Sequence, residues 1–193
     1  APLQLLRNNG NGTFADVTKD ARLDALGHFI ALVPTDFDNH RDMDLLVVAA
    51  DAAPRLLSNQ RDGTFTDVAT DTGLAAVFAA GESVTAVAAG DANKDDWPDF
   101  LFARSGGAVM AMSDGHGRFN VSAAPDVLKG ATAAQFLDYD NDGLLDIVGL
   151  TASGPVIVRD LGHSFVDVTQ AALGALSAGS STPARTFSAA DLD

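Results

Sequence analysis

Apolar and polar positions along the chain come in short bursts, broken every few residues by Asp, Asn, Gly or Pro. Four segments alternate with period two and open on the same aromatic: Phe14–Thr18, Phe65–Ala69, Phe119–Ala123 and Phe165–Thr169. Such alternation marks a strand with one covered face. Other segments are apolar at successive positions, such as Leu45–Val48 and Ile147-Val148, and a strand of that kind needs cover on both faces. Three units of four strands follow. The first comprises Phe29–Val33, Asp44–Ala49, Arg55–Ser58 and Phe65–Ala69. The second comprises Val84–Ala89, Asp99–Ala103, Ala108–Met112 and Phe119–Ala123. The third comprises Ala131–Leu137, Asp146–Leu150, Pro155–Val158 and Phe165–Thr169.

Two markers repeat in step with these units. Asp-rich loops begin at Asp36, Asp91 and Asp138, and Asp191-Leu192-Asp193 opens a fourth copy. Before each alternating segment stands a turn: Asn9-Gly10-Asn11-Gly12, Arg61-Asp62-Gly63, Asp114-Gly115-His116-Gly117 or His163-Ser164. Four short strands in each 40–50 residues or so is the arithmetic of a β-propeller blade. The first strands are rich in Ala (Ala86, Ala88, Ala89, Ala131, Ala133, Ala134, Ala189, Ala190), as suits strands crowded around an axis. A parallel β-solenoid is the alternative, with rungs usually much shorter than this period. The expected fold is therefore all-β: four-stranded antiparallel blades from a seven- or eight-bladed ring. Its expected parts are the end of one blade at 1–18, blades at 28–70, 84–124 and 131–170, and the start of another at 185–193.

The loops carry the candidate chemistry. In the third, Asp138, Asp140, Asp142 and Asp146 stand at positions 1, 3, 5 and 9, Gly143 at position 6, and Leu144 offers a carbonyl at position 7. Alternating carboxylates on a tight turn aim at one hard cation, and Ca2+ accepts several oxygens at flexible geometry. The second loop offers Asp91, Asn93, Asp95, the Trp97 carbonyl and Asp99, with Asp96 at position 6. The first offers Asp36, Asp38, His40, Asp42 and Asp44, with Arg41 at position 6. Imidazole is a poor calcium ligand and a guanidinium opposes a cation, so the expected order of affinity is third, second, first. The competing reading is a set of Asp-rich turns capped by their own side chains.

Composition sharpens this. Twelve basic residues face 26 acidic ones, a net charge of −14, and such a field repels nucleic acid. The acids are almost all Asp and cluster in the loops, which solvation alone would not require. There are no cysteines, so no disulfide or thiolate site. Apolar runs are too short to span a membrane.

The loops and the strands after them, with Asn8–Thr18 and Asn59–Val68, resemble FG-GAP/VCBS repeats, the repeats of integrin α-subunit propellers and many bacterial exported proteins. The phrase Asp62–Val68 followed by Gly73-Leu74 is most similar to the ASPIC/UnbV group, which includes cartilage acidic protein. This resemblance implies a propeller with calcium in the loop between the first two strands of a blade. It also implies an extracellular or periplasmic, secreted and bacterial setting. It implies no single activity.

No catalytic constellation is legible. His28, His40, His116 and His163 adjoin no nucleophile motif, and Gly81-Glu82-Ser83-Val84-Thr85 lacks the second Gly of a nucleophile elbow. Arg61-Asp62-Gly63 reads as a hairpin turn, and Leu173–Pro183 as a loop. The expectation is a non-enzymatic adhesion or binding scaffold for a protein or glycan ligand. The alternatives are a carbohydrate-binding module, in which Trp97 or Tyr139 would be exposed, and part of a polysaccharide-processing enzyme. Self-association or a missing remainder of the ring is expected to complete the structure.

Overall fold

A computed structural model describes residues 3–24, 29–78 and 81–174. His28, the region 175–183, and the expected further blade at 185–193 with Ala189, Ala190 and the Asp191–Asp193 loop lie outside these residues. The strands are β1 (Leu6–Asn8), β2 (Phe14–Asp16), β3 (Ala31–Thr35), β4 (Asp44–Val48), β5 (Arg55–Asn59), β6 (Phe65–Asp67), β7 (Val84–Gly90), β8 (Asp99–Arg104), β9 (Ala108–Ser113), β10 (Phe119–Ala123), β11 (Ala133–Leu137), β12 (Asp146–Thr151), β13 (Gly154–Asp160) and β14 (Phe165–Asp167). They form one antiparallel pair, β1-β2, and three four-stranded antiparallel sheets, β3-β4-β5-β6, β7-β8-β9-β10 and β11-β12-β13-β14. The sheets do not close on one another. They are blades of the propeller type, and the described residues are all-β apart from 3₁₀ turns at Leu74–Val77 and Asp126–Leu128 and a helix, α1 (Thr169–Leu173).

One residue type sets the length of the outer strands. Asp16, Asp67 and Asp167 each turn the chain by accepting the amide two residues on, from Thr18, Ala69 and Thr169. Strands β2, β6 and β14 therefore stop at that Asp. Strand β10 has Val121 in its place and runs on to Ala123. The alternating pattern continues past the Asp in sequence, but at Thr169 the backbone is already helical.

The core lies between blades. Leu46, Val48 and Leu56 of the first blade meet Phe100, Phe102, Val109 and Phe119 of the second. Leu101 and Met110 on the other face of that blade meet Phe136, Ile147, Val156 and Val158 of the third. Val47 and Leu57 pack toward Leu3 and Leu5. Central strands are thus covered on both faces, which is why they are apolar at successive positions. Small residues also pack between the second and third blades: Ala86 of β7 and Ala103 of β8 cluster with Ala131, just before β11. A Cβ on Gly90 would stand 3.0 Å from the Phe136 ring. At the ends of the row, Leu6 (53%) and Phe14 (61%) are exposed on one side and Leu161 (39%) and Val166 (44%) on the other.

This packing predicts a clear contrast. Phe100 is fully buried, with ring centroids 6.4 Å from Phe102 and 5.3 Å from Phe119. Phe100→Ala should cost about 3–5 kcal/mol in urea unfolding, whereas Phe14→Ala should change stability by only about 0.5 kcal/mol. Equal effects would contradict a core built between blades.

Candidate metal centre

Each Asp loop joins the first strand of a blade to the second, and all three share one backbone trace. Positions 4 and 6 are left-handed in every case: Asn39 (φ 57°) and Arg41 (63°), Lys94 (60°) and Asp96 (68°), Asn141 (58°) and Gly143 (86°). The position-1 carboxylate gathers the turn by accepting the amide of position 6, from Arg41 at 2.9 Å, Asp96 at 2.9 Å and Gly143 at 2.8 Å. In the second and third loops it also accepts the amide of position 5. Arg41 therefore does not break the turn, because the amide network holds it in the left-handed region.

Position 9 is the most buried. Asp44, Asp99 and Asp146 are all 0% exposed. Their Oδ1 atoms accept amides at the end of the third strand: Asn59 at 2.8 Å, Ser113 at 2.7 Å and Asp160 at 2.7 Å. Oδ2 accepts the position-2 amide in two of them, Ala92 at 2.9 Å and Tyr139 at 3.0 Å. The Phe37 amide lies near enough to Asp44 to lower its pKa slightly, yet Asp44 Oδ2 makes no hydrogen bond of normal geometry. Burial pushes the Asp44 and Asp99 carboxyls up to about 6, against the pull of these amides, and raises Asp146 too.

The oxygens of Asp36, Asp38 and Asp44 converge to within 4.8 Å of one another, as do those of Asp138, Asp140 and Asp142. Either set could hold a metal ion. Asp146 lies outside the second set, and Asp91, Asp95 and Asp99 form no such trio among the described residues. In the second loop Asn93 bonds Asp95 through both its oxygen and its amide nitrogen. The position-7 residues Trp97 and Leu144 are part-buried, with the indole beside Gly115. Tyr139 is part-buried as well. His40 Nδ1 lies 2.9 Å from Asp38 Oδ2, so the imidazole partners a carboxylate.

Two arginines outside the loops enter them, and the loop pattern gives no sign of either. Arg61 places Nε 2.5 Å from Asp42 Oδ2 and donates through Nη2 to the His40 carbonyl. Arg159 places Nε 2.7 Å from Asp140 Oδ2 and Nη2 3.0 Å from Asp142 Oδ2. The Arg61-Asp62-Gly63 turn thus points its arginine into the first loop, while Asp62 accepts the Thr64 amide and hydroxyl. Consecutive loops also touch: Asn39 donates to the Asp96 carbonyl at 3.3 Å, and Lys94 Nζ lies against Gly143. His116 and His163 are exposed turn residues.

Blades of this kind with an Asp loop after each first strand define a propeller-type repeat protein. Residues 36–102 and 91–149 match the FG-GAP-like repeat model, more than half of the chain, and the chain belongs to that family. Among solved structures it is similar to an Agrocybe aegerita lectin whose structure describes specific recognition of non-reducing terminal N-acetylglucosamine. The identity is 22% and the TM-score 0.54, over 86% of this chain and 46% of that one. The chain therefore spans less than half the length of the lectin, and the likeness is one of fold. No curated protein matches.

The position-9 carboxylate predicts a pH effect whose sign follows from its burial. A folded-state pKa near 6, above the ordinary 3.8, means the folded chain holds this proton more tightly than the unfolded chain does. In chelator, the stability tied to Asp99 should fall as pH rises from 3.8 to 6 and stay low above that. Asp99→Asn should remove that part of the slope, so wild type should gain more than the variant between pH 7 and pH 5. Parallel stability–pH curves would contradict the assignment. Exposed carboxyls such as Asp62 and Asp114, held low by local hydrogen bonds, cancel in the difference.

Proposed function

We propose that the chain is a calcium-stabilised, non-enzymatic binding scaffold of an exported protein, extracellular or periplasmic. In this reading its blade loops and clefts are offered to a protein or glycan ligand. One observation carries the reading: three loops with the same left-handed positions and the same buried position-9 carboxylate, two of them with converging oxygens. Turn capping alone needs no such convergence, as Asp16, Asp67 and Asp167 illustrate elsewhere in the fold. The donors suit calcium: Asp36, Asp38 and Asp44 in the first loop, Asp138, Asp140 and Asp142 with Asp146 behind them in the third, and Asp91, Asn93 and Asp95 with Asp99 in the second. Carbonyls of Trp97 and Leu144 supply neutral oxygens, while that of His40 is engaged by Arg61. No helix among the described residues is long and apolar enough to cross a membrane. We read the exposed Leu6 and Phe14, and Leu161 and Val166, as faces covered by further blades, from the parent polypeptide or from a second copy.

The glycan version has a place to act. A cleft of about 670 Å³ between the second and third blades is lined by Met110, Met112, Leu144 and Phe165, with Asn93 and His163 at hand as polar partners. Apolar walls with a few polar groups suit a sugar ring.

Melting with calcium and with chelator tests the scaffold reading. At ten times a Kd of about 10⁻⁴–10⁻³ M, each site adds about 1.4 kcal/mol. Two sites should raise Tm by about 5–10 °C in a domain of this size, and magnesium should do less. A melting curve unmoved by chelator would leave the loops as Asp-rich turns. For the glycan version, Ser122 is exposed on the cleft wall, and Ser122→Trp should block binding on a glycan array without loss of Tm. Glycan binding that survives this substitution would place the ligand elsewhere. Turnover of glycosides by the purified chain would overturn the non-enzymatic part.

A further inference from the structure

We propose that the third loop carries its own cation, Arg159, and that the first loop is in consequence the leading metal site. This reverses the order expected from the loop sequences. The inference rests on the calcium reading above and adds which loop the ion takes first.

Arg159 stands one residue before Asp160, the residue whose amide holds Asp146. From the end of β13 its guanidinium spans the loop, ion-paired with Asp140 Oδ2 through Nε and hydrogen-bonded to Asp142 Oδ2 through Nη2. The other oxygen of Asp142 accepts the Leu144 amide. Both Asp138 oxygens accept loop amides, and both Asp146 oxygens accept theirs. The third loop is thus partly neutralised and largely hydrogen-bonded before any ion arrives. Ser58 and Met112 occupy the equivalent place in the first two blades, so this device belongs to the third blade. A metal entering there must displace a tethered guanidinium, whose effective concentration is in the millimolar range or above.

The first loop also receives a guanidinium, that of Arg61, yet it keeps carboxylate oxygens unpartnered. Asp36 Oδ1 and Asp44 Oδ2 are buried without a hydrogen-bond partner, and the Asp44 side chain is wholly buried. Both residues belong to the converging trio with Asp38. Arg61 engages Asp42 and the His40 carbonyl, and His40 engages Asp38; neither pairs with Asp36 or Asp44. Two buried carboxylate oxygens without a hydrogen-bond partner, on two residues of one converging trio, are costly to leave bare. A hard cation with oxygen preference satisfies them together.

Calorimetric titration of the full chain with calcium chloride tests this. Asp36→Asn should remove the tightest site and Asp138→Asn should leave it. Arg159→Met should tighten a weaker site by about two- to fivefold by removing the tethered competitor, and Asp138→Asn in that background should abolish the gain. Arg159→Met should also lower Tm in chelator, where Asp140 and Asp142 lose their counter-ion, and calcium should restore it. Loss of a merely structural contact would not be restored in this way. If Arg159→Met fails to fold, Arg159→Lys, which keeps the charge but not the fork, should show a smaller gain in affinity. Loss of the tightest site in Asp138→Asn but not in Asp36→Asn would overturn the proposal, as would an unchanged affinity in both Arg159 variants. Absence of calcium uptake by every variant would sink the calcium reading itself, and this inference with it.

Discussion

A carboxylate with no exposure to water stands at the head of each second strand, and the geometry of the loops is arranged around it. Asp44, Asp99 and Asp146 are drawn inward because their Oδ1 atoms accept an amide from the end of the third strand, across the sheet. Taking a carboxylate out of water is costly, and burial raises its pKa accordingly. Amide donors offset part of that cost. What remains favours a neighbouring positive charge, and this one constraint accounts for the chemistry of the loops. Either a guanidinium comes in, as Arg159 does, or a metal ion can.

The excess of Asp then divides into two populations with different work. One caps turns at the surface: Asp16 and Asp62 sit below the ordinary carboxylate range because Thr18 and Thr64 donate to them. The other is gathered in the loops, where neighbouring carboxylates add to the raised pKa of the buried one, Asp38 and Asp42 for Asp44 and Asp95 and Asp91 for Asp99. Contacts between successive loops, Asn39 to Asp96 and Lys94 to Gly143, add to the apolar packing between blades. Order in one loop is thereby coupled to its neighbour as well as to its own sheet.

The blade plan was legible in sequence because each strand type has its own cause. Doubly covered strands are apolar throughout, singly covered strands alternate, and the Asp loop recurs in phase. The ends of outer strands were less legible, because an Asp that continues an alternating pattern also ends it by capping, as at Asp167 before the helix at Thr169. A glycine marks the left-handed position 6 of the third loop in sequence, but nothing marks position 4, where Asn39, Lys94 and Asn141 are also left-handed; the closed network of amides makes that necessary. Arg61 and Arg159 escaped altogether. They are ordinary residues of a turn and a strand until the sheet brings them beside the loop, and no spacing within the loop announces them. The same tertiary fact sets the richest carboxylate loop apart from the one with the most exposed need for a cation.

The central claim is that a cation in these loops ties first strand, second strand and third strand of a blade into one unit. Amide hydrogen exchange, with and without calcium, tests it most directly at the amides that the position-9 carboxylates hold: Asn59, Ser113 and Asp160. The account predicts markedly slower exchange in calcium at Asn59, where the first loop holds the bare oxygens, and a smaller change at Asp160, where Arg159 already pairs with Asp140 and Asp142. Exchange at all three amides that is identical in calcium and in chelator would contradict it.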